Sequence, residues 1–144
     1  MPPESPEEIR KLRSTLQGVD FLFHLKVYEM DLLLSVMKKR SVPAGQVVIK
    51  QGDPGDAFYI VASGKLSIWV KKGFKNVQID TRWPEQFFGE MALVSHEPRM
   101  ATVKAEEPSE LYVLTKHEFD SVLMRNPGIS KAIKTVVAKR KAAN

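Results

Sequence analysis

The chain has 144 residues, 43% of them hydrophobic and 27% charged, which is room for one domain with a proper core. It has no cysteine, so disulfides and thiolate chemistry are excluded, and no apolar run approaches the roughly 18 residues of a membrane span. The net charge of +5 is concentrated late: no acidic residue follows Asp120, while Arg125, Lys131, Lys134, Lys139, Arg140 and Lys141 do. The opening Met-Pro-Pro-Glu-Ser-Pro-Glu-Glu has neither the basic nor the apolar part of a signal peptide, and the default expectation is a cytoplasmic setting.

Ser5-Pro6-Glu7-Glu8 reads as a helix opening, with a hydroxyl cap, proline at the first helical position and Glu three residues after the cap. Ile9, Leu12 and Leu16 continue at helical spacing until Gly18. Phe21-Leu22-Phe23-His24-Leu25 predicts a short turn that buries its aromatic groups, and a second helix is expected over roughly Val27 to Lys38. Residues 1–39 thus form an N-terminal helical segment.

Over 40–115 the pattern changes to short β-branched and aromatic stretches between turn residues, the spacing of a sandwich or barrel. Strands are predicted at Val47–Ile49, Phe58–Val61, Leu66–Val70, Val77–Ile79, Ala101–Ala105 and Leu111–Leu114. Glycines 45, 52, 55, 64 and 73 stand where tight turns need positive φ. Residues 116–144 return to helix: Thr115-Lys116-His117-Glu118 is a capping box, and Asn126-Pro127 restarts a helix with Ile129, Ile133, Val136 and Val137 on one stripe. Its lysines are too scattered for a polybasic anchor, and nucleic acid is not an expected partner.

The chemistry concentrates in residues 88–102. Gly89 allows close approach to a ligand, Glu90 is an acceptor pair suited to vicinal hydroxyls, and Met91-Ala92-Leu93 begins like a short helix whose N–H groups face an anion. Arg99 supplies a planar fork of donors matched to a phosphate, or a partner for Glu90. His24, His96 and His117 have no imidazole or carboxylate at ligand spacing, so no metal or cofactor is expected. There is no nucleophile elbow and no Walker-type loop, so no catalytic residue is assigned.

Phe88-Gly89-Glu90-Met91-Ala92-Leu93, followed after five residues by Arg99-Met100-Ala101-Thr102, resembles the phosphate-binding cassette of cyclic nucleotide-binding domains. That family includes protein kinase A regulatory subunits, cyclic-nucleotide-gated channels and catabolite-activator-type regulators. Pro43-Ala44-Gly45, Gln51-Gly52-Asp53, Gly55 and Phe58 to Gly64 are similar to the first half of the same roll, so the resemblance covers roughly residues 19–141. The loop Val94-Ser95-His96-Glu97-Pro98 departs from many relatives, which have glycine near position 96, but its length matches.

The resemblance implies an α+β domain, an antiparallel β-roll of jelly-roll type with N-terminal helices and C-terminal hinge and lid helices. It implies that Glu90 holds the ribose 2′-hydroxyl and Arg99 the cyclic phosphate, with Gly89, Ala92, Met100 and Ala101 contributing backbone around them and Met91 and Leu93 anchoring the cassette in the core. For the base it implies Ile68, with Val77 or Ile79 opposite, residues that fit plain core packing equally well; Arg140 falls at the spacing of a lid arginine. Members that favour cGMP often carry threonine immediately after the cassette arginine; Met100 has no hydroxyl, which tilts the expectation toward cAMP. The implied function is a non-catalytic sensor that acts on an unknown effector by moving its last helix about Asn126-Pro127. The alternative is an interaction domain that keeps the fold without a ligand.

Overall fold

The computed structural model describes residues 5–23, 25–95 and 97–143, without the side chains of 132, 137 and 140–143. His24 and His96 lie outside the described residues. Helix α1 (Pro6–Gln17), a 3₁₀ turn (Asp20–Leu22) and α2 (Val27–Val36) precede eight strands. These are β1 (Lys38–Val42), β2 (Val47–Ile49), β3 (Ala57–Ser63), β4 (Leu66–Lys72), β5 (Lys75–Arg82), β6 (Phe87–Phe88), β7 (Thr102–Ala105) and β8 (Ser109–Thr115). A second 3₁₀ turn (Glu90–Leu93) separates β6 from β7, and α3 (Lys116–Arg125) and α4 (Pro127–Ala143) follow.

All strand pairing is antiparallel, in two four-stranded sheets of order β1-β8-β3-β6 and β2-β7-β4-β5. The fold is therefore the α+β roll expected from the alternation. Strand β3 explains why Ala57-Phe58-Tyr59-Ile60-Val61 reads as one apolar run: all five residues are buried. Ala57, Tyr59 and Val61 point between the sheets, where they meet Leu66, Ile68, Phe88, Val103 and Leu111. Phe58 and Ile60 point outward, into a second core roofed by the helices. A strand covered on both faces has no polar side to show.

That second core ties the two ends of the chain together. Leu16, Phe21, Leu22, Met30 and Leu33 meet Phe119, Ile129 and Ile133 in it, with Phe21 and Phe119 edge-on at 6.5 Å between ring centroids. Val136 packs against it, while the Val137 side chain lies outside the described atoms. The predicted caps form: Ser5 accepts from the Glu8 N–H at 3.0 Å, and Thr115 and Glu118 complete a capping box.

Three expectations shift. Helix α2 stops at Val36, because Met37 turns to an extended backbone (ψ 146) and Lys38 opens β1. Strand β1, Lys-Lys-Arg-Ser-Val, is exposed over its first four residues and has no alternation to announce it, and β6 is two residues long. Gly45, Gly52, Gly64 and Gly73 take positive φ, whereas Gly55 does not. A Cβ on Gly55 would lie 3.0 Å from the Ala92 Cβ and 3.3 Å from Arg99 Nε, so its smallness serves close packing.

Helix α1 is fastened to β8 by a hydrogen bond that the Tyr112 hydroxyl donates to Glu8, with Lys39 also 3.7 Å from that carboxylate. The Tyr112 bond, with smaller help from Lys39 and Ser5, holds Glu8 below its ordinary 4.5; burial pushes the Tyr112 hydroxyl up. A lowered folded pKa stabilises above the unfolded value and is lost as pH falls through the folded one. Tyr112→Phe should therefore lower the melting temperature near neutrality, and the difference from wild type should close as pH falls below the ordinary carboxylate range. A difference that stayed constant over that range would show that the hydroxyl acts by packing alone.

Candidate functional site

The end of β6 delivers the chain to Gly89, which has φ 79 and ψ 13, in the left-handed region. A Cβ there would lie 2.9 Å from Arg99 Nη1 and 3.1 Å from the Ala57 carbonyl oxygen, so glycine is required by both conformation and space. The 3₁₀ turn that follows buries Ala92 beside Gly55 and sends Leu93 into the helical core. The predicted short helix is thus a single tight turn. Its first internal bond runs from the Ala92 N–H to the Gly89 carbonyl at 3.1 Å, so the Ala92 donor is already engaged, and the N–H groups of Glu90 and Met91 precede it.

Arg99 is held at both ends. Its backbone N–H donates to the Asp53 carbonyl (2.8 Å) and its carbonyl accepts from the Gly52 N–H (2.9 Å), which clips the strand ahead of β7 to the β2–β3 loop. Its guanidinium donates to the Ala57 carbonyl (2.7 Å) and the Gly89 carbonyl (3.3 Å), with its side chain 9% exposed. The nearest carboxylate, Asp56 at 3.9 Å, belongs to a side chain that is 88% exposed. Burial pulls the guanidinium down from its ordinary value, opposed by Tyr59, Asp56 and Glu90. Carbonyls satisfy its hydrogen bonds but supply no net charge to balance it.

These groups open on a cleft of about 480 Å³, within the range of small-molecule sites. Gly89, Glu90, Met91, Ala92, Arg99, Met100, Ala101 and Ile68 all line it, so the structure brings together most of the residues singled out from sequence. Glu90 is half-buried and, among the described residues, its carboxylate takes no hydrogen bond or ion pair. Ile49, Ile68 and Val103, all buried, give the cleft an apolar part. Met100 sits at the rim, 81% exposed.

Two residues depart from their expected places. Met91 is half-buried in the cleft lining, and Leu93 alone anchors the cassette in the core. Ile79 does not line the cleft. A β-bulge between Ile68 and Trp69 leaves Ile79 unpaired and 52% exposed, while Asp80 stands opposite Ile68. The Arg140 side chain lies outside the described atoms, and no described residue of α4 lines the cleft. Two contributors carried no sequence signal. Arg82 lines the cleft with its Nε donating to the Phe87 carbonyl (2.9 Å) and Nη1 on Asp80 (2.6 Å). The Asp56 carbonyl accepts the Lys116 N–H at 2.8 Å, and its carboxylate faces Arg99. Among the described residues no group of His, Cys, Asp and Glu could hold a metal ion.

The family model for the cyclic nucleotide-binding domain matches residues 39–126. The chain belongs to the cyclic nucleotide-binding domain family. It is 31% identical over 124 residues to the cAMP-dependent protein kinase type II regulatory subunit of Drosophila melanogaster, covering 86% of this chain and 32% of that protein. It is 34% identical over 121 residues to the cyclic AMP receptor protein of Thermus thermophilus, covering 83% of this chain and 56% of that one. The regulatory domain of Toxoplasma gondii PKA, crystallised with cAMP, superposes with a TM-score of 0.74 at 24% identity, over 83% of this chain and 46% of that one, a likeness of fold. The chain spans about a third of the kinase subunit's length and just over half of the receptor's. Among the described residues no helix is long and apolar enough to cross a membrane.

The site's tightest constraint is at Gly89. Gly89→Ala should weaken ligand binding and cost about 1–3 kcal/mol of folding stability, the scale of a strained left-handed residue pressed on its neighbours. Denaturant unfolding measures the second effect, and an unchanged midpoint would mean that Arg99 yields freely.

Proposed function

We propose that this domain binds cAMP reversibly, without chemical turnover, and passes the binding event to its last helix. The observation that carries the reading is the Arg99 side chain, 9% exposed and held by carbonyls, beside an unpartnered Glu90 in one cleft. A cyclic phosphate supplies the charge that the carbonyls do not, and a ribose 2′-hydroxyl supplies the donor that Glu90 lacks. The purine then rests against Ile68 and its apolar neighbours, with Met100 at the rim offering no hydroxyl to a guanine amino group. Gly89, Ala92 and Ala101 shape the backbone around the phosphate. Among the described residues of the cleft no hydroxyl is hydrogen-bonded to an imidazole or a carboxylate, which fits retention of the ligand intact.

The coupling route we favour runs through Leu93. Its side chain sits in the helical core and its carbonyl accepts from Lys116 Nζ at 3.3 Å, at the first residue of α3. Movement of the cassette turn toward a phosphate displaces both contacts, and with them α3 and the Asn126-Pro127 junction. Helix α4 is packed here on the helical core through Ile129 and Ile133, away from the cleft. Closure over the base trades those contacts for new ones, Arg140 among them, and the ligand shifts the equilibrium only by its preference for the closed state. The effector that reads this movement is a further domain or a partner protein.

Calorimetric titration with cAMP and cGMP tests the reading. We expect tighter binding of cAMP, and a loss of about 2–4 kcal/mol in Arg99→Leu, the scale of removing one partner of a partly buried charge-assisted pair. Glu90→Gln should cost about 1.5–3 kcal/mol by the same reasoning. Wild-type affinity in Arg99→Leu would overturn the site; no binding of either nucleotide would leave a ligand-free interaction domain of this fold.

A further inference from the structure

The β4–β5 hairpin carries a feature that nucleotide binding does not use. Its strands are joined by a two-residue connection, Gly73-Phe74, in which Gly73 has φ 64, as the first central residue of a tight hairpin turn requires. Phe74 is 106% exposed, the most exposed of the large hydrophobic side chains among the described residues. Every residue from 71 to 80 is exposed. Lys71, Lys72 and Lys75 surround the tip, and from Lys65 to Ile79 the sequence has no acidic residue. The first acid, Asp80, is already engaged by Arg82 at 2.6 Å.

This tip is poorly arranged for its own stability. Lys72 and Lys75 stand directly opposite each other in the register, where like charges repel. A turn residue with a short polar side chain would close the hairpin without leaving an aromatic ring in water. Both faults are relieved by one kind of surface, anionic outside and apolar beneath. The hairpin has other anchorage: the Lys71 N–H donates to Gln51 Oε1 at 2.8 Å, and Lys104 lies over the Trp69 ring. The tip is therefore held out from the sheet as a firm projection.

We propose that the Gly73-Phe74 tip docks this domain on the surface of an anionic lipid bilayer, with Phe74 in the interface and Lys71, Lys72 and Lys75 over the headgroups. Amphipathic elements of this kind bury their apolar groups about 5–10 Å deep, a depth that one protruding ring reaches. A single-stranded nucleic acid would call for a basic groove with several stacking rings, whereas this tip is convex and has one. One ring and three lysines make weak, salt-sensitive and reversible docking, which suits a module that must also release.

The test is co-sedimentation of the full chain with phosphatidylserine–phosphatidylcholine vesicles, with phosphatidylcholine vesicles alone, and with a single-stranded oligonucleotide. We expect binding to the anionic vesicles only, weakened about fivefold for each lysine replaced by serine and about tenfold in Phe74→Ser. The tryptophan emission of Phe74→Trp should gain a blue-shifted component with anionic vesicles. Nucleotide affinity and the melting curve should match wild type in Phe74→Ser, showing that the fold is intact. Docking that ignores Phe74→Ser, equal binding to neutral vesicles, Phe74-dependent binding of the oligonucleotide instead of vesicles, or no vesicle binding would each overturn the proposal.

Discussion

A guanidinium taken out of water and fastened to two backbone carbonyls is the constraint around which this domain is arranged. Ala57 on β3 and Gly89 after β6 hold the Arg99 head, while Gly52 and Asp53 hold its backbone. Three separate stretches of chain are thereby brought to one residue. Each carbonyl satisfies a donor and none cancels the charge; the one ion pair is long, 3.9 Å to an Asp56 carboxylate that stays largely in water. The Gly89 backbone, with no room for a Cβ, sets how closely the guanidinium is approached.

The coupling we propose to a distant helix runs along the boundary between the two cores. The β3 strand faces the cleft side through Ala57 and the helical side through Phe58 and Ile60, so it is shared by both cores. The cassette turn spans the same boundary in four residues, with Glu90 in the cleft and Leu93 among the helices. Close-packed interiors transmit small shifts because their side chains have few alternative arrangements. The capping box at Thr115 and the Lys116 grip on the Leu93 carbonyl place the start of α3 next to the turn.

What was legible from sequence is what geometry restricts to particular residue types. A left-handed turn needs glycine at position 89, a buried junction of two carbonyls needs a fork of donors at 99, and a half-buried strand needs alternation at 66, 68 and 70; each leaves a mark that residue identity alone reveals. The caps at Ser5 and Thr115 were readable for the same reason. Where pairing rather than residue type decides, the sequence was mute. The bulge in β4–β5 moves Ile79 out of the cleft while preserving the pattern that had placed it there. Strand β1 is made by its partner β8 and not by its own polar residues. Arg82 reaches the cleft through the carbonyl of Phe87, and Ala92 spends its N–H on the Gly89 carbonyl three residues back; neither bond is announced by residue type.

The central claim concerns the electrical state of one side chain, and the Arg99 Nε–H resonance in a heteronuclear NMR spectrum reports it directly. On titration with cAMP, that resonance should move far downfield as a phosphate replaces solvent at the guanidinium, at the same ligand concentrations that shift the amides of Glu90 and Leu93. A complex in which those amides move while the Arg99 side chain keeps its free position would contradict the account.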